Sequence, residues 1–257
     1  MNEEQIKARL MAAGIENARF EAHQLLEALS GDALSAAVEK RCGGYPLQYI
    51  LGEWDFYRET YEVSEDCLIP RADTELLVEK AIAMLPSGAR LIDLCTGSGC
   101  VAISTLCARP DVSAVGADLF EKTLALANRN AERNGVAERF TPMRADVLQE
   151  PPTELMRGSF QAIVSNPPYI RADVIPTLQK EVQYEPKAAL NGGEDGLDFY
   201  RSILDKWMCL LAKNGFVLFE IGYDQGQALI ELGEKKGMTV RVFADLGGND
   251  RVVLMQK

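Results

Sequence analysis

The stretch Leu91-Ile92-Asp93-Leu94-Cys95-Thr96-Gly97-Ser98-Gly99-Cys100-Val101-Ala102 decides the fold. It reads as a strand, a glycine-rich turn and the start of a helix. Such a turn lets a ligand approach the backbone closely and leaves helix N-terminal amides pointing at it. Nineteen residues after Gly99, at the end of the next strand pattern, stands Asp118. An acidic residue at about that spacing can accept both ribose hydroxyls of an adenosine. Gly97-x-Gly99-x-x-Ala102 also satisfies the dinucleotide pattern, so NAD and S-adenosylmethionine both remain open at this point. Asp146, just past the third strand, stands where an acidic group could meet an adenine amino group. A solvated loop aspartate fits that position equally well.

Outward from this turn, strand and helix alternate. Strands are predicted at 90–94, 114–118, 140–144, 162–165 and 216–221, and helices at 101–108, 123–134, 197–212 and 225–236. Alternation of this kind argues for an α/β fold, a parallel sheet covered by helices on both faces. The end differs. Residues 239–244 and 251–255 flank Gly247-Gly248-Asn249-Asp250, a strand, turn, strand pattern that makes the last strand antiparallel to its neighbour.

Upstream, residues 3–40 have helical spacing, through Leu10, Met11 and Ile15, then Phe20, Leu25, Leu26 and Leu29. Breaks are expected at Gly14 and at Gly31-Asp32, and nothing there points to chemistry. Gly43-Gly44-Tyr45-Pro46 is a turn cluster. Residues 49–57 and 62–63 read as short strands of a hairpin. A helix capped by Asp73 or Thr74 then runs to about Leu85. The expected division is a helical domain at 1–42, a linker with a β-hairpin and a helix at 43–86, and the α/β domain at 87–257.

Composition bounds the function. The chain has 257 residues, 47% hydrophobic and 25% charged, ordinary for a soluble globular protein. A formal net charge of −11 disfavours a broad grip on a nucleic-acid backbone. The six cysteines, Cys42, Cys67, Cys95, Cys100, Cys107 and Cys209, form no C-x-x-C pair, and His23 is the only histidine. No metal site is therefore expected. No leader-like or membrane-length apolar run is seen, so the expected setting is a reducing cytoplasm with free thiols and no membrane partner.

Ala162-Ile163-Val164-Ser165-Asn166-Pro167-Pro168-Tyr169 resolves the cofactor ambiguity. A strand ends in Asn-Pro-Pro-Tyr at the carboxyl edge of the sheet, where ligands of such folds sit. An amide or exocyclic amino nitrogen is a poor nucleophile because its lone pair is delocalised. Two acceptors on its two N–H groups orient the lone pair and favour pyramidalisation. Asn166 offers a side-chain oxygen, and Pro167 a carbonyl in a chain of fixed φ. Tyr169 offers a flat face for stacking. The reading is an S-adenosylmethionine-dependent N-methyltransferase.

The sequence resembles N-methyltransferases with this loop and, more narrowly, the release factor glutamine N5-methyltransferase (PrmC/HemK) family. The resemblance spans nearly the whole chain. It includes Gly44-Tyr45-Pro46-Leu47-Gln48-Tyr49-Ile50-Leu51-Gly52, Phe56-Tyr57 and Ile69-Pro70-Arg71-Ala72-Asp73-Thr74-Glu75. It continues through Glu185-Pro186-Lys187-Ala188-Ala189-Leu190, Gly192-Gly193-Glu194-Asp195-Gly196-Leu197, Tyr200-Arg201 and Asp250-Arg251-Val252-Val253. The resemblance implies a Rossmann-like seven-stranded methyltransferase sheet, with an N-terminal helical domain that contacts the release factor and a hairpin linker. It implies methylation of the glutamine side-chain amide in the Gly-Gly-Gln motif of peptide chain release factors. Asp93, Cys95, Thr96, Gly97, Ser98, Gly99, Asp118, Asp146, Val147 and Asn166 fall on cofactor positions. Asn166, Pro167, Pro168 and Tyr169 fall on the substrate-amide site, with Arg71 near its mouth. Two residues depart from the family pattern. Cys95 stands at a usual glycine, which a small side chain tolerates if φ stays negative, with weaker cofactor binding expected at most, and Ala72 stands at a usual proline, which bears only on local linker stiffness.

Two rivals remain. A nucleic-acid base methyltransferase would keep the loop and stack a flipped base on Tyr169. A nucleoside-binding or NAD-dependent protein would explain Gly97, Gly99 and Asp118 but leave the loop without purpose.

Overall fold

The computed structural model describes residues 1–155 and 159–257. Three helices open the chain: α1 Glu3–Ala12, α2 Ala18–Ala28 and α3 Gly31–Cys42. Asn2 and Gln5 form a reciprocal capping box at the start of α1. Ile6, Leu10, Ala18, Ala22, Leu25, Leu34 and Val38 make a core of their own. Ala18, Ala22 and Leu25 share one face of α2, so Phe20 lies on the other face and is exposed, as is Met11 on α1. The second break falls at Leu29-Ser30, two residues earlier than expected, with Gly31 and Asp32 already inside α3.

A short helix α4, Leu47–Leu51, replaces the first half of the expected strand at 49–57; Gly52, at φ +77°, ends it. The hairpin follows as β1 Glu53–Phe56 and β2 Glu59–Glu62, antiparallel. Phe56 and Tyr61 meet edge to face, with centroids 5.9 Å apart. Both pack with Leu77, Val78 and Ala81 of α5, Glu75–Met84, into the same core as one face of the main sheet. Thr74 occupies the N-cap position of α5 but makes no side-chain cap bond.

The main sheet uses β3 Arg90–Leu94, β4 Ser113–Asp118, β5 Phe140–Arg144, β6 Phe160–Ser165, β7 Leu211–Glu220, β8 Thr239–Ala244 and β9 Asp250–Gln256. Its order is β5-β4-β3-β6-β7-β9-β8. Neighbours are parallel except β9, which is antiparallel to both β7 and β8, as the terminal turn implied. Helices α6 Cys100–Ala108 and α7 Glu121–Arg133 join α5 on one face, and α8 Asp198–Lys206 and α9 Gly226–Lys235 cover the other. Along β6, Ala162 and Val164 enter the first core and Ile163 the second; Phe160, before the register shift that precedes Ala162, also enters the second. The two-residue period and burial on both faces explain the near-continuous apolar strands.

A further boundary differs from expectation. The helix expected to reach 212 ends at Lys206; a 3-10 turn, Trp207–Leu210, follows, and β7 starts at Leu211. Leu211 pairs with Phe160, and pairing then jumps to Ala162 with Phe216. The extra residues bend out through Asn214, which holds φ +64°. Asparagine is among the few residues that visit this region readily.

From β3 the chain winds outward to β4 and β5, then returns to β6 on the other side of β3. The carboxyl ends of β3 and β6 thus flank the crevice where strand order reverses, the place where such sheets bind ligands.

Candidate active site

The first wall of the crevice is the turn after β3. Cys95 has φ +59°, so the condition of a negative φ, under which a side chain is easily tolerated here, is not met. The turn demands a left-handed residue here, and the thiol side chain is held there against the usual steric penalty. Gly97 and Gly99 also have positive φ. Gly99 caps α6 at φ +82°, a conformation that strains any L side chain, so the turn favours glycine there. Thr96 Oγ1 donates to Asp93 Oδ2 at 2.7 Å, and burial pushes the Asp93 carboxyl up to about 7. Asp118 ends β4 and accepts from the Gly97 N–H at 3.1 Å and the Phe120 N–H at 3.2 Å. Burial raises its pKa against these backbone bonds. Asp146 accepts from the Leu148 N–H at 2.9 Å.

Asp93, Cys95, Thr96, Gly97, Ser98, Asp118, Asp146 and Val147 line one cavity, together with Asn166, Pro168 and Arg71. Gly99, Pro167 and Tyr169 do not line it. Gly99 caps α6 behind the turn, and Pro167 is buried. Leu119, Phe120, Leu148 and Phe199 give the cavity apolar walls. Ser98 Oγ is buried with no hydrogen-bond partner among the described residues. An unpaired buried hydroxyl beside glycines that leave the backbone bare fits a polar ligand that supplies the missing bond. The acidic and apolar walls together fit S-adenosylmethionine. Cys67, Cys95 and Cys100 also line the cavity, and burial pushes all three thiols up, so they stay protonated.

The second wall is the loop after β6. Ser165 Oγ donates to Leu94 O at 2.5 Å, which ties the end of β6 to the end of β3. Asn166 Nδ2 donates to Thr74 Oγ1 at 3.1 Å. That bond leaves Asn166 Oδ1 as the amide's available acceptor. Tyr169 turns its hydroxyl toward Glu220 Oε1, 3.4 Å away. The Tyr169 carbonyl accepts from Gln225 Nε2 at 3.0 Å. The same amide nitrogen donates to Gly196 O, and Gln225 Oε1 accepts from the Gly222 N–H. Gly192 packs where its Cβ would lie 2.7 Å from Tyr169 Cα, so only glycine fits. Arg71 is ion-paired with Glu185, whose Oε2 accepts from the Ile69 N–H at 3.1 Å.

Thr74, Glu220 and Gln225 were not singled out from sequence as site residues. In the sequence Thr74 stands out as a helix cap and as part of the family-like stretch at 69–75, and its side chain makes no cap bond. The acidic end of β7 and the amide at the start of α9 carry no spacing signal toward Asn166 or Tyr169. Among the described residues, no group of three or more His, Cys, Asp or Glu could hold a metal ion. None of the described helices is long and apolar enough to cross a membrane.

Residues 72–193 match the model of the methyltransferase small domain family. The release factor glutamine methyltransferase of Geobacter sulfurreducens is 38% identical over 265 residues, covering 95% of this chain and 91% of that protein. That of Thermodesulfovibrio yellowstonii is 37% identical over 237 residues, covering 87% and 81%. A methyltransferase structure from Pyrococcus furiosus superposes with a TM-score of 0.56 at 19% identity, over 77% of this chain and 88% of that one, a likeness of fold. Near-full-length identity at this level, on a sheet whose crevice fits S-adenosylmethionine, places the chain in the release factor glutamine methyltransferase family, as an S-adenosylmethionine-dependent methyltransferase.

Proposed function

We propose that this enzyme methylates the side-chain amide nitrogen, N5, of the glutamine in the Gly-Gly-Gln motif of peptide chain release factors. The observation that carries the reading is the direction of the Asn166 amide. Its nitrogen is spent on Thr74, so its oxygen is free to accept from a substrate N–H. The Pro167 carbonyl supplies the second acceptor. The two acceptors orient the nitrogen lone pair and stabilise the positive charge that grows there. Tyr169, pinned at both its carbonyl and its hydroxyl, provides a fixed aromatic face beside Asn166.

Asp118 is assigned to the ribose hydroxyls. Asp93, Cys95, Thr96, Gly97, Ser98, Gly99, Asp146 and Val147 are assigned to the remaining contacts of S-adenosylmethionine. When bound, the cofactor supplies an electrophilic sulfonium methyl group. No side chain need take a proton before transfer, because the amide proton becomes acidic only afterwards. Arg71, held by Glu185, stands at the cavity and is assigned to substrate entry.

Residues 1–42 are assigned to docking the release factor, ahead of the 43–86 linker and the 87–257 catalytic domain. A tie from these helices to the region after the catalytic loop supports this. Arg41 is buried, with Nη2 3.0 Å from Glu21 Oε1 and 2.6 Å from Glu181 Oε1. Tyr45 meets Tyr184 edge to face. The setting proposed is the cytoplasm, with no membrane, metal or direct nucleic-acid partner.

The test is transfer of labelled methyl groups to purified release factors, with the modified residue located by mass spectrometry. A single methyl on the Gly-Gly-Gln glutamine is expected. Label entering transfer RNA or DNA, and not the release factor, would replace this reading with that of a base methyltransferase.

A further inference from the structure

Glu220, the last residue of β7, is a buried acid that the mechanism above leaves unused. In the parallel pairing of β6 with β7, Ser165 lies opposite Phe219. The next residues along the two strands, Asn166 and Glu220, therefore emerge side by side at the carboxyl edge. The Thr74 hydroxyl sits beside this carboxyl and favours its ionised form, and Thr74 Oγ1 is also the acceptor for Asn166 Nδ2. The Tyr169 hydroxyl reaches the same carboxyl at 3.4 Å, while Glu220 Oε2 has no hydrogen-bond partner among the described residues.

We propose that Glu220 is a positioning residue that sets the direction of the Asn166 amide through Thr74. An ionised carboxylate can only accept. It therefore takes the Thr74 O–H as donor, which leaves the Thr74 oxygen to accept from Asn166 Nδ2. Asn166 Oδ1 is then the end offered to the substrate. A protonated Glu220 can instead donate to Thr74. The Thr74 hydroxyl is then free to donate to Asn166, the amide is no longer held one way round, and its NH2 group can face the substrate nitrogen. An NH2 group there cannot accept a substrate N–H. The inference rests on the amide-methylation reading but concerns a separate link.

The charged and titratable neighbours of Glu220 come from every element around it. They are Tyr169 in the catalytic loop, Asp73 before α5, Cys100 on α6, Tyr200 on α8 and Arg251 on β9. Burial is the largest influence and raises the carboxyl to about 7, with Asp73 adding to it and Thr74, Arg251 and Tyr169 opposing. The relay therefore loses its direction as pH falls through neutrality, and kcat should show an acid limb there.

The experiment has two arms. In the first, the enzyme without substrate, labelled with 13C and 15N, is titrated by NMR. The Asn166 side-chain amide resonances should move with the midpoint of the Glu220 carboxyl, near 7. They should lose that movement in Thr74→Val. In the second arm, kcat for methyl transfer to a release factor is measured against pH. Glu220→Gln should lower kcat on the order of 10- to 100-fold, as misplacement of a reacting group does, and abolish the acid limb. Thr74→Ser should recover most of what Thr74→Val loses. If Glu220→Gln does not fold, the Thr74 pair and the titration decide. Asn166 resonances that ignore the Glu220 titration, or a folded Glu220→Gln enzyme with the kcat of the unaltered one, overturn the proposal. Failure of the unaltered enzyme to methylate any release factor would strike only the substrate reading, because the titration uses no substrate.

Discussion

The turn after β3 and the loop after β6 form two walls of one crevice, and they are held in different ways. The first is tied by bonds that span two, three and 21 residues. Thr96 reaches back three residues to Asp93, and the Asp118 carboxylate reaches Gly97 and Phe120. Its shape comes from backbone conformation at Cys95, Gly97 and Gly99. The second wall is held by side chains from distant parts of the chain. Asn166 is bound by Thr74, 92 residues away, and Tyr169 by Glu220 and Gln225, 51 and 56 residues away. The difference matches the two tasks. A cofactor with fixed groups can be met by bare backbone amides and one carboxylate. A reacting nitrogen needs an acceptor aimed in one direction, and only a packed network holds a side chain that firmly.

If that division is right, a change in each wall should appear in a different kinetic constant. The largest effect is expected from Asn166→Ala. Loss of one preorganised group aimed at developing charge costs about 2.7–4 kcal/mol, so kcat should fall roughly 10²–10³-fold. Calorimetry should show cofactor affinity much less affected. A near-normal kcat would mean that the second wall does not orient the amide. Asp118→Ala should act the other way round. Losing hydrogen bonds to a carboxylate is worth about 1.5–3 kcal/mol, so Kd for S-adenosylmethionine should rise roughly 10- to 150-fold. With saturating cofactor, kcat should change little. An unchanged Kd would remove Asp118 from the ribose site, while equal losses in Kd and kcat would dissolve the distinction between the walls.

The same contrast explains what the sequence discloses. The seven strands, parallel but for β9, follow from the apolar periods and the terminal turn, and Gly97, Gly99 and Asp118 follow from a fixed spacing along a strand, turn and helix. Asn166 to Tyr169 are legible because four unusual residues stand together at a strand end. Thr74, Glu220 and Gln225 are not legible, because each meets the loop only after the sheet has brought its strand ends together. Local propensity misleads at Tyr49–Leu51, where aromatic and β-branched residues read as strand. Pro46 before them and Gly52 after them instead frame one helical turn. It misleads again at Leu211, where an apolar run continues the helical pattern but the partner Phe160 draws it into the sheet.

The smallest expected effect tests the first wall where its conformation departs from expectation. Cys95 holds φ +59° without being glycine. For an L-residue this region costs roughly 1–2 kcal/mol through contact of Cβ with the backbone. The thiol is partly buried against the second core, so Cys95→Gly both relieves strain and removes a contact. Comparison with wild type alone would mix the two. Comparison of Cys95→Gly with Cys95→Ala separates them, because both lack the thiol and only alanine keeps a Cβ. At a position with negative φ, alanine would be the more stable by about 0.4–1 kcal/mol, through the lower entropy of its unfolded chain. At positive φ the order reverses, and glycine should lead by about 1 kcal/mol. In a chain of this size that is a Tm difference of about 2–4 °C. Thermal unfolding of the two variants under identical conditions gives the sign directly. Alanine proving the more stable would mean that Cys95 does not hold the left-handed conformation in solution, and that the turn follows a different path past the cofactor.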